Sequence, residues 1–502
     1  RGPLDVDGLK ASLADVVQRH EALRTTFAQE GGQLVQVVAA QGSLVFSEGD
    51  AAGADDEEIR RILAPVIRTP FVLERGPLFR VHLLRIAPQD HVLLLTIHHI
   101  VSDAISNRII VRELSEFYTA KVAGRSAGLA EPELQYADYS VWQREFLTDT
   151  VRERQRAYWQ ERLEGAQPLD LPRDRGGYQR ASTDGSVFRW SLPAALTEGL
   201  RQLAGGSGTT LFAVLSAALS VWLSRLTSRD DVVIGLLVSG RTRPEFEDVV
   251  GFFVNTLVLR AEVNRQERFL DLLGQVRDSV RQLLSHQDTP FQLLPGAERE
   301  ALAELLRVSF AMQPSFVPLA LAGCHTEPVL LSTGSARFDL TFLATERDDS
   351  LDFELEYKAD LFKASTVERW VDQYTRLLEA VAANPATTIG ELPVLTPQER
   401  HTLLVEWNAT QVEVTGPATI TEAFEAAVAR TPDAPACTAG GRTLTFRQLE
   451  ARANAIAAHL AGLGVRRGAI VGVGMWRSCE LIAAMLGAMK AGAAYLPLDP
   501  AY

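Results

Sequence analysis

Apolar positions along this chain recur with two periods, and the alternation between them sketches a mixed fold. Between residues 9 and 27 hydrophobic positions return every three to four residues, which predicts an amphipathic helix. The runs 34–38, 81–85 and 91–97 are short and rich in Val, Leu and Ile, and they read as strands. The last two pair around a turn at Ala87-Pro88-Gln89-Asp90. Over 104–118, Ile105, Ile109, Leu114 and Phe117 predict a helix, and a second, charged helix is expected over 140–163. Pro172, Asp174, Gly176 and Gly177 interrupt the pattern and mark a crossing between two lobes. The pattern resumes with a helix over 211–226, a strand over 231–238 and a Gly-Arg loop. Strands over 257–263 and 351–357 and a closing helix over 363–382 complete the second lobe. The apolar stretch 485–498 is interrupted by Lys490 and stopped by Pro497 and Pro500, so it reads as a core helix and strand, too short to span a bilayer.

At 502 residues the chain exceeds one compact core, and two or three domains are expected. Hydrophobic content of 46% with 23% charged residues is that of a globular protein. A net charge of −13, with no long Lys/Arg block, argues against a nucleic-acid surface. Cys324, Cys437 and Cys479 are odd in number and far apart, which supports neither a disulfide framework nor a zinc site. A reducing, cytoplasmic compartment is the expectation. The chain opens Arg1-Gly2-Pro3-Leu4-Asp5, without a Met or an apolar leader, and reads as a piece of something longer. Gly472-Val473-Gly474 lacks the third glycine of a dinucleotide loop.

The stretch richest in chemistry is His98-His99-Ile100-Val101-Ser102-Asp103-Ala104, between a strand and a helix. An imidazole there titrates near neutrality and can accept or donate a proton. If strand geometry persists, His98 and His99 face opposite sides, and His98 is assigned to structure. Asp103 stands where a helix N-cap belongs.

This string resembles the HHxxxDG motif of condensation domains of non-ribosomal peptide synthetases. Arg19-His20-Glu21-Ala22-Leu23-Arg24-Thr25-Thr26-Phe27 is similar to that family's RHExLRTxF, and Tyr136-Ala137-Asp138-Tyr139-Ser140-Val141-Trp142-Gln143 to its YxDYAVWQ. Gly251-Phe252-Phe253-Val254-Asn255-Thr256-Leu257 resembles its GxFVNT, and His286-Gln287-Asp288-Thr289-Pro290-Phe291 its HQDxPF. The motifs occur in the family's order over about the first 395 residues. Further on, 392–400 and 404–410 look like the linker to an adenylation domain. Leu444-Thr445-Phe446-Arg447-Gln448-Leu449 and the end of 486–500 resemble the adenylation motifs LTYxEL and LKAGxAYVPLDP. The phosphate loop, catalytic aspartate and C-terminal lysine of that second family are not among these residues, so nucleotide binding is not expected.

The resemblance implies an α/β (α+β) fold of two chloramphenicol-acetyltransferase-like lobes in a V-shaped pseudo-dimer, followed by a truncated adenylation fragment. The expected divisions are 1–172, 173–395, a linker 396–415, and 416–502. It implies an acyltransferase that joins a donor acyl or peptidyl thioester to an acceptor aminoacyl thioester, with no covalent acyl-enzyme. His99 is the implied catalytic residue, either as a base or as a hydrogen-bonding positioner. Asp103 is implied to pair with an arginine of the second lobe, Arg241 first and Arg243 as runner-up. Ala104 stands on the acceptor channel in place of the motif's glycine. Tyr136, Trp142, Phe252, Phe253 and Phe291 default to core packing, and Asn255 and His286 to polar contacts near the lobe interface. No metal or tightly bound cofactor is expected: 4'-phosphopantetheine arrives on upstream donor and downstream acceptor carrier proteins. The adjacent adenylation domain is a further partner, and neither a membrane nor nucleic acid is.

Three departures stand out. Ala104 is one, the family's opening motif is absent, and the RDxSRxPL segment expected after Phe291 is missing. Heterocyclisation and epimerisation domains fit less well, because the double histidine and the Phe-Val-Asn stretch are both present. A non-catalytic recruitment domain of the same fold, or condensation coupled to side-chain modification, are the alternatives.

Overall fold

The computed structural model describes residues 1–174, 183–290, 304–329, 331–413 and 415–501. Two compact units divide the chain, Arg1–Arg400 and His401–Tyr502.

The first unit is mixed α/β and holds two lobes with separate cores. Its first lobe opens with α1 (Val6–Arg19), capped by Asp5, whose carboxylate accepts from the Gly8 amide. The hairpin β1 (Thr25–Glu30) and β2 (Gln33–Val38) turns at Gly31 and Gly32, both at positive φ. The helix expected over 9–27 therefore stops at Arg19. His20 leaves the helical region and is buried against Glu113 at 2.7 Å, and Thr25, Thr26 and Phe27 pair across the hairpin instead. Next come β3 (Val45–Asp50), α2 (Asp56–Arg68), β4 (Phe79–Ala87) and β5 (Asp90–Ile97). β4 and β5 pair antiparallel, Leu83 opposite Leu93, as the two apolar runs predict. β3 joins β4 parallel. On this sheet lies α3 (Ala104–Val122), which buries Ile109, Ile110, Leu114 and Tyr118 with Leu9, Leu13 and Val16 of α1. The helix expected over 140–163 is two: α4 (Tyr136–Phe146) and α5 (Asp149–Leu163). The break falls at Leu147, which is buried, and Thr148, whose hydroxyl caps α5 by accepting from the Val151 amide.

The second lobe is larger. Its elements are β6 (Gly185–Leu192), α6 (Ala194–Gly206), α7 (Leu211–Thr227), β7 (Asp231–Val238), β8 (Asn255–Glu262), α8 (Phe269–Leu284), β9 (Val308–Gln313), β10 (Leu340–Glu346), β11 (Leu351–Lys358) and α9 (Ala364–Ala383). The sheet runs β6-β11-β10-β9-β7-β8. β7 is flanked by β9 and β8 and buried from Val232 to Leu236, hence its unbroken apolar run. β11 alternates instead: Leu351, Phe353, Leu355 and Tyr357 point into the core. α7 is apolar on nearly all sides and buried from Ala213 to Ser224, with Trp222 among Phe342, Trp370 and Tyr374. Among the described residues no single helix is long and apolar enough to cross a membrane.

The lobes exchange material. Trp159 of α5 packs in the second-lobe core, while Val250 and Leu321 pack in the first-lobe core. The second of these crossings is held by the Ala320 amide, which donates to Ser115 Oγ at 2.9 Å.

The second unit is small. It contains α10 (Ile420–Arg430), β12 (Pro435–Ala439), β13 (Arg442–Thr445), α11 (Phe446–Gly462), β14 (Ile470–Gly474), α12 (Cys479–Lys490) and β15 (Ala494–Leu498). Thr445 and Gln448 form a reciprocal cap at the start of α11. Lys490, which interrupts the apolar run, lies buried between Glu425 and Glu450.

Candidate functional site

β5 ends at Ile97, and the chain then makes one 3-10 turn, His99–Val101, before Asp103 caps α3. The two histidines of this turn are held as opposite tautomers. His98 Nδ1 accepts from the Ile100 amide at 3.0 Å, so its neutral ring carries the proton on Nε2. His99 Nδ1 lies 2.5 Å from the Ser102 carbonyl oxygen, which can only accept. The proton of neutral His99 is therefore on Nδ1, and Nε2 keeps its lone pair. His98 is half-buried, edge-on to Phe71, and burial, with the His99 charge, holds its pKa below the ordinary value. His99 is exposed, and its ring meets Phe252 edge-to-face at 4.8 Å.

Asp103 is both the helix cap and one half of an ion pair. Oδ1 accepts from the Ser106 amide at 2.7 Å and from Arg241 Nη2 at 3.0 Å, and Oδ2 accepts from the Phe253 amide at 3.2 Å. Both side chains are buried, with 2% and 3% of their surface exposed for Asp103 and Arg241, which removes the pair from water. Burial pulls the guanidinium below its ordinary value against the opposing charge of Asp103. Arg241 also lies over the Phe253 ring at 3.9 Å. Arg243 goes elsewhere, over Trp142 at 4.8 Å. Gly240 before them sits at positive φ, and a Cβ there would overlap the Phe253 carbonyl oxygen.

Ala104 is the first residue of α3 and is exposed. Tyr139, Phe246, Val249 and Phe253 form a buried cluster with Tyr136 and Trp142 against it, so these aromatics pack as a core between the lobes. Burial, and next the charge of Asp288, push the Tyr139 phenol up to about 12. Asn255 Nδ2 donates to the carbonyls of Gln287 and Thr289 at 2.7 and 2.9 Å and so braces the HQD loop. His286 Nδ1 meets Gln155 Oε1 at 2.9 Å and its ring stacks on Tyr158 at 3.8 Å, joining α5 to the second lobe. Phe291 and most of the stretch where RDxSRxPL is missing lie outside the described residues.

Among the described residues, two cavities at the lobe boundary stand out. One of about 190 Å³ is walled by Tyr136, Tyr139, Phe252, Asn255 and Asp288. The other, about 390 Å³, is walled by Ile105, Arg108, Arg112, Arg241 and Asp248. His99 and Ala104 line neither, but Phe252 and Ile105 adjoin them. Among the described residues no His/Cys/Asp/Glu group is disposed to hold a metal ion.

Sequence reasoning missed Ser106 and Glu113. Ser106 Oγ donates to the Gly251 carbonyl at 2.8 Å and accepts from the Gly251 amide at 3.0 Å and Arg241 Nη2 at 2.9 Å. Its position three residues after Asp103, on the same helix face, was the available signal. Glu113 accepts from Arg19 at 3.0 Å and meets His20 at 2.7 Å. Burial alone would raise its pKa, but His20, Arg19 and Arg112 outweigh that and leave it lowered. Arg19 and His20 of the RHE motif thus join α1 to α3.

Residues 1–404 match the family described as Condensation domain, and 424–502 the family described as AMP-binding enzyme. Malpinin synthetase of Mortierella alpina is 37% identical over 512 residues, covering 100% of this chain and 7% of that protein. Surfactin synthase subunit 1 of Bacillus subtilis (strain 168) is 36% identical over 509 residues, covering 100% and 14%. The chain thus spans a small part of these relatives. The X-domain from teicoplanin biosynthesis is similar in structure, with TM-score 0.67 and 28% identity over 79% of this chain and 91% of that one. The first condensation domain of the calcium-dependent antibiotic synthetase, in complex with a substrate analogue, gives TM-score 0.67 and 25% identity over 79% and 92%.

Proposed function

This chain belongs to the condensation-domain family of non-ribosomal peptide synthetases, with the start of an AMP-binding domain behind it, and from that premise we propose that it forms amide bonds. The amine of an acceptor aminoacyl group attacks the carbonyl carbon of a donor thioester. The C–N bond forms, the C–S bond breaks, and the proton lost by nitrogen ends on the departing pantetheine sulfur. Each reactant arrives on the phosphopantetheine of its own carrier protein, so holding the two together supplies much of the rate.

The observation that carries this reading is the state of His99. The Ser102 carbonyl holds its Nδ1 proton, which leaves Nε2 on an exposed ring free to accept from the attacking nitrogen. His98 has its nitrogens the other way round and serves the turn. The Asp103–Arg241 pair fixes the helix that follows. Ala104, exposed at the head of that helix, marks the acceptor's approach. Ala104→Trp then blocks the acceptor by bulk, while Ala104→Gly condenses about as fast as the parent. Full activity in a folded Trp variant removes this residue from the acceptor path. The three free cysteines fit a reducing, cytoplasmic setting.

The test is a single turnover with donor and acceptor carriers both loaded, read as intact mass of the acceptor carrier. Gain of the donor acyl mass supports the reading. A mass equal to donor plus acceptor with a further change favours condensation coupled to modification. The second reading, recruitment without catalysis, is favoured by the similarity to the teicoplanin X-domain, which is known in complex with OxyB. No mass gain, with carriers still bound, selects it.

A further inference from the structure

The backbone of residues 251–253 comes from the second lobe, yet side chains of the first lobe hold it. Ser106 Oγ takes both the amide and the carbonyl of Gly251. The Tyr136 hydroxyl donates to the Phe252 carbonyl at 2.6 Å, and Asp103 accepts from the Phe253 amide. A Cβ on Gly251 would overlap the Tyr136 ring, so the strap approaches only because it has none. Ser106 Oγ is saturated: its one proton goes to Gly251, and its two acceptor sites take Gly251 N–H and Arg241. A hydroxyl in this place has no further partner to offer.

The strap carries one ring toward the histidines. Phe252 meets His99 edge-to-face at 4.8 Å, on an exposed ring that among the described residues is otherwise held by the Ser102 bond. The geometry points to Phe252 as a positioning residue for His99, with Ser106 as the group that sets Phe252 in place. Rotation about χ2 carries Nδ1 off the Ser102 carbonyl, and the Phe252 ring beside it adds to the cost of that rotation. The second lobe therefore acts on the proton chemistry without supplying a proton-carrying group. This inference rests on the amide-forming reading above, but its first test does not need turnover.

The experiment uses the whole chain with labelled histidine, and reads the ring-nitrogen NMR signals of His99, assigned by their loss in His99→Gln. The parent shows the Nδ1-protonated form in excess. Phe252→Leu keeps the apolar bulk and loses the ring edge, and it relaxes His99 toward a mixture of the two forms. Ser106→Ala does the same through the strap, and Phe252→Tyr recovers most of the parent pattern. In single turnover, Phe252→Leu lowers the maximal rate about tenfold with little change in half-saturation by either carrier. An unchanged His99 pattern in folded Phe252→Leu overturns the inference whatever the activity. A relaxed pattern in a protein whose parent forms no amide upholds the positioning and sinks the catalytic reading instead.

Discussion

Two ion pairs tie the same helix to the same segment of the second lobe. At the head of α3, Asp103 meets Arg241 at 3.0 Å; further along, Arg112 meets Asp248 at 2.9 Å. The distances are nearly equal, but the surroundings are not. Arg112 and Asp248 keep 54% and 77% of their side-chain surface in water, which screens them. Asp103 and Arg241 are dry, and every lost partner there leaves a charge or a backbone group stranded. The inner contact holds the histidine turn and the strap of residues 251–253 in one piece. The outer one stands in water and holds little.

Breaking the inner pair has the largest expected effect. Arg241→Ala leaves Asp103 buried and unpaired and costs about 3–5 kcal/mol in urea unfolding. Combining it with Asp103→Asn costs less than the two singles added, because the second change removes the stranded charge. Ser106→Ala comes next, at about 1–3 kcal/mol, since the Gly251 amide and carbonyl both lose their partner. Arg112→Ala sharpens the contrast from the other side: its cost stays below about 1 kcal/mol and shrinks with added salt. A loss there as large as that of Arg241→Ala erases the distinction.

The smallest effect is on pH. Burial lowers the pKa of His82, His91, His98 and His286 in the folded chain. Unfolded, these rings take up a proton near pH 6.5, so below that value the unfolded state holds more protons. Their contribution is whole above about pH 6.5 and is lost as the pH falls toward the folded values. Melting temperature should decline modestly from about pH 7.5 to about pH 5.5. A rise over that interval contradicts the burial account.

Much of the fold was legible because its signals are local. The run 231–238 is the strand β7 to the residue, and 91–97 and 81–85 pair as their turn implied. The helix over 9–27 failed where a buried contact overrode periodicity: His20 reaches Glu113 on another helix. The helix over 140–163 failed at Leu147 and Thr148, where burial and a cap outweigh continuity of charge. At the site, His99 lies in the turn and Asp103 caps the helix after it, and the structure brings Arg241, not Arg243, to Asp103. Ser106 could be placed beside Asp103 on one helix face, but its contact with Gly251, 145 residues away and through backbone alone, could not. No period in a chain records that kind of contact.

In the proposed reaction His99 Nε2 handles the proton of the attacking amine. The most direct test is the single-turnover rate of amide formation by His99→Ala, measured beside the parent with both carriers loaded and with melting temperature recorded for each. The account predicts a fall of about a hundredfold or more with an unchanged melting temperature. A folded His99→Ala variant that forms the amide at nearly the parent rate contradicts it.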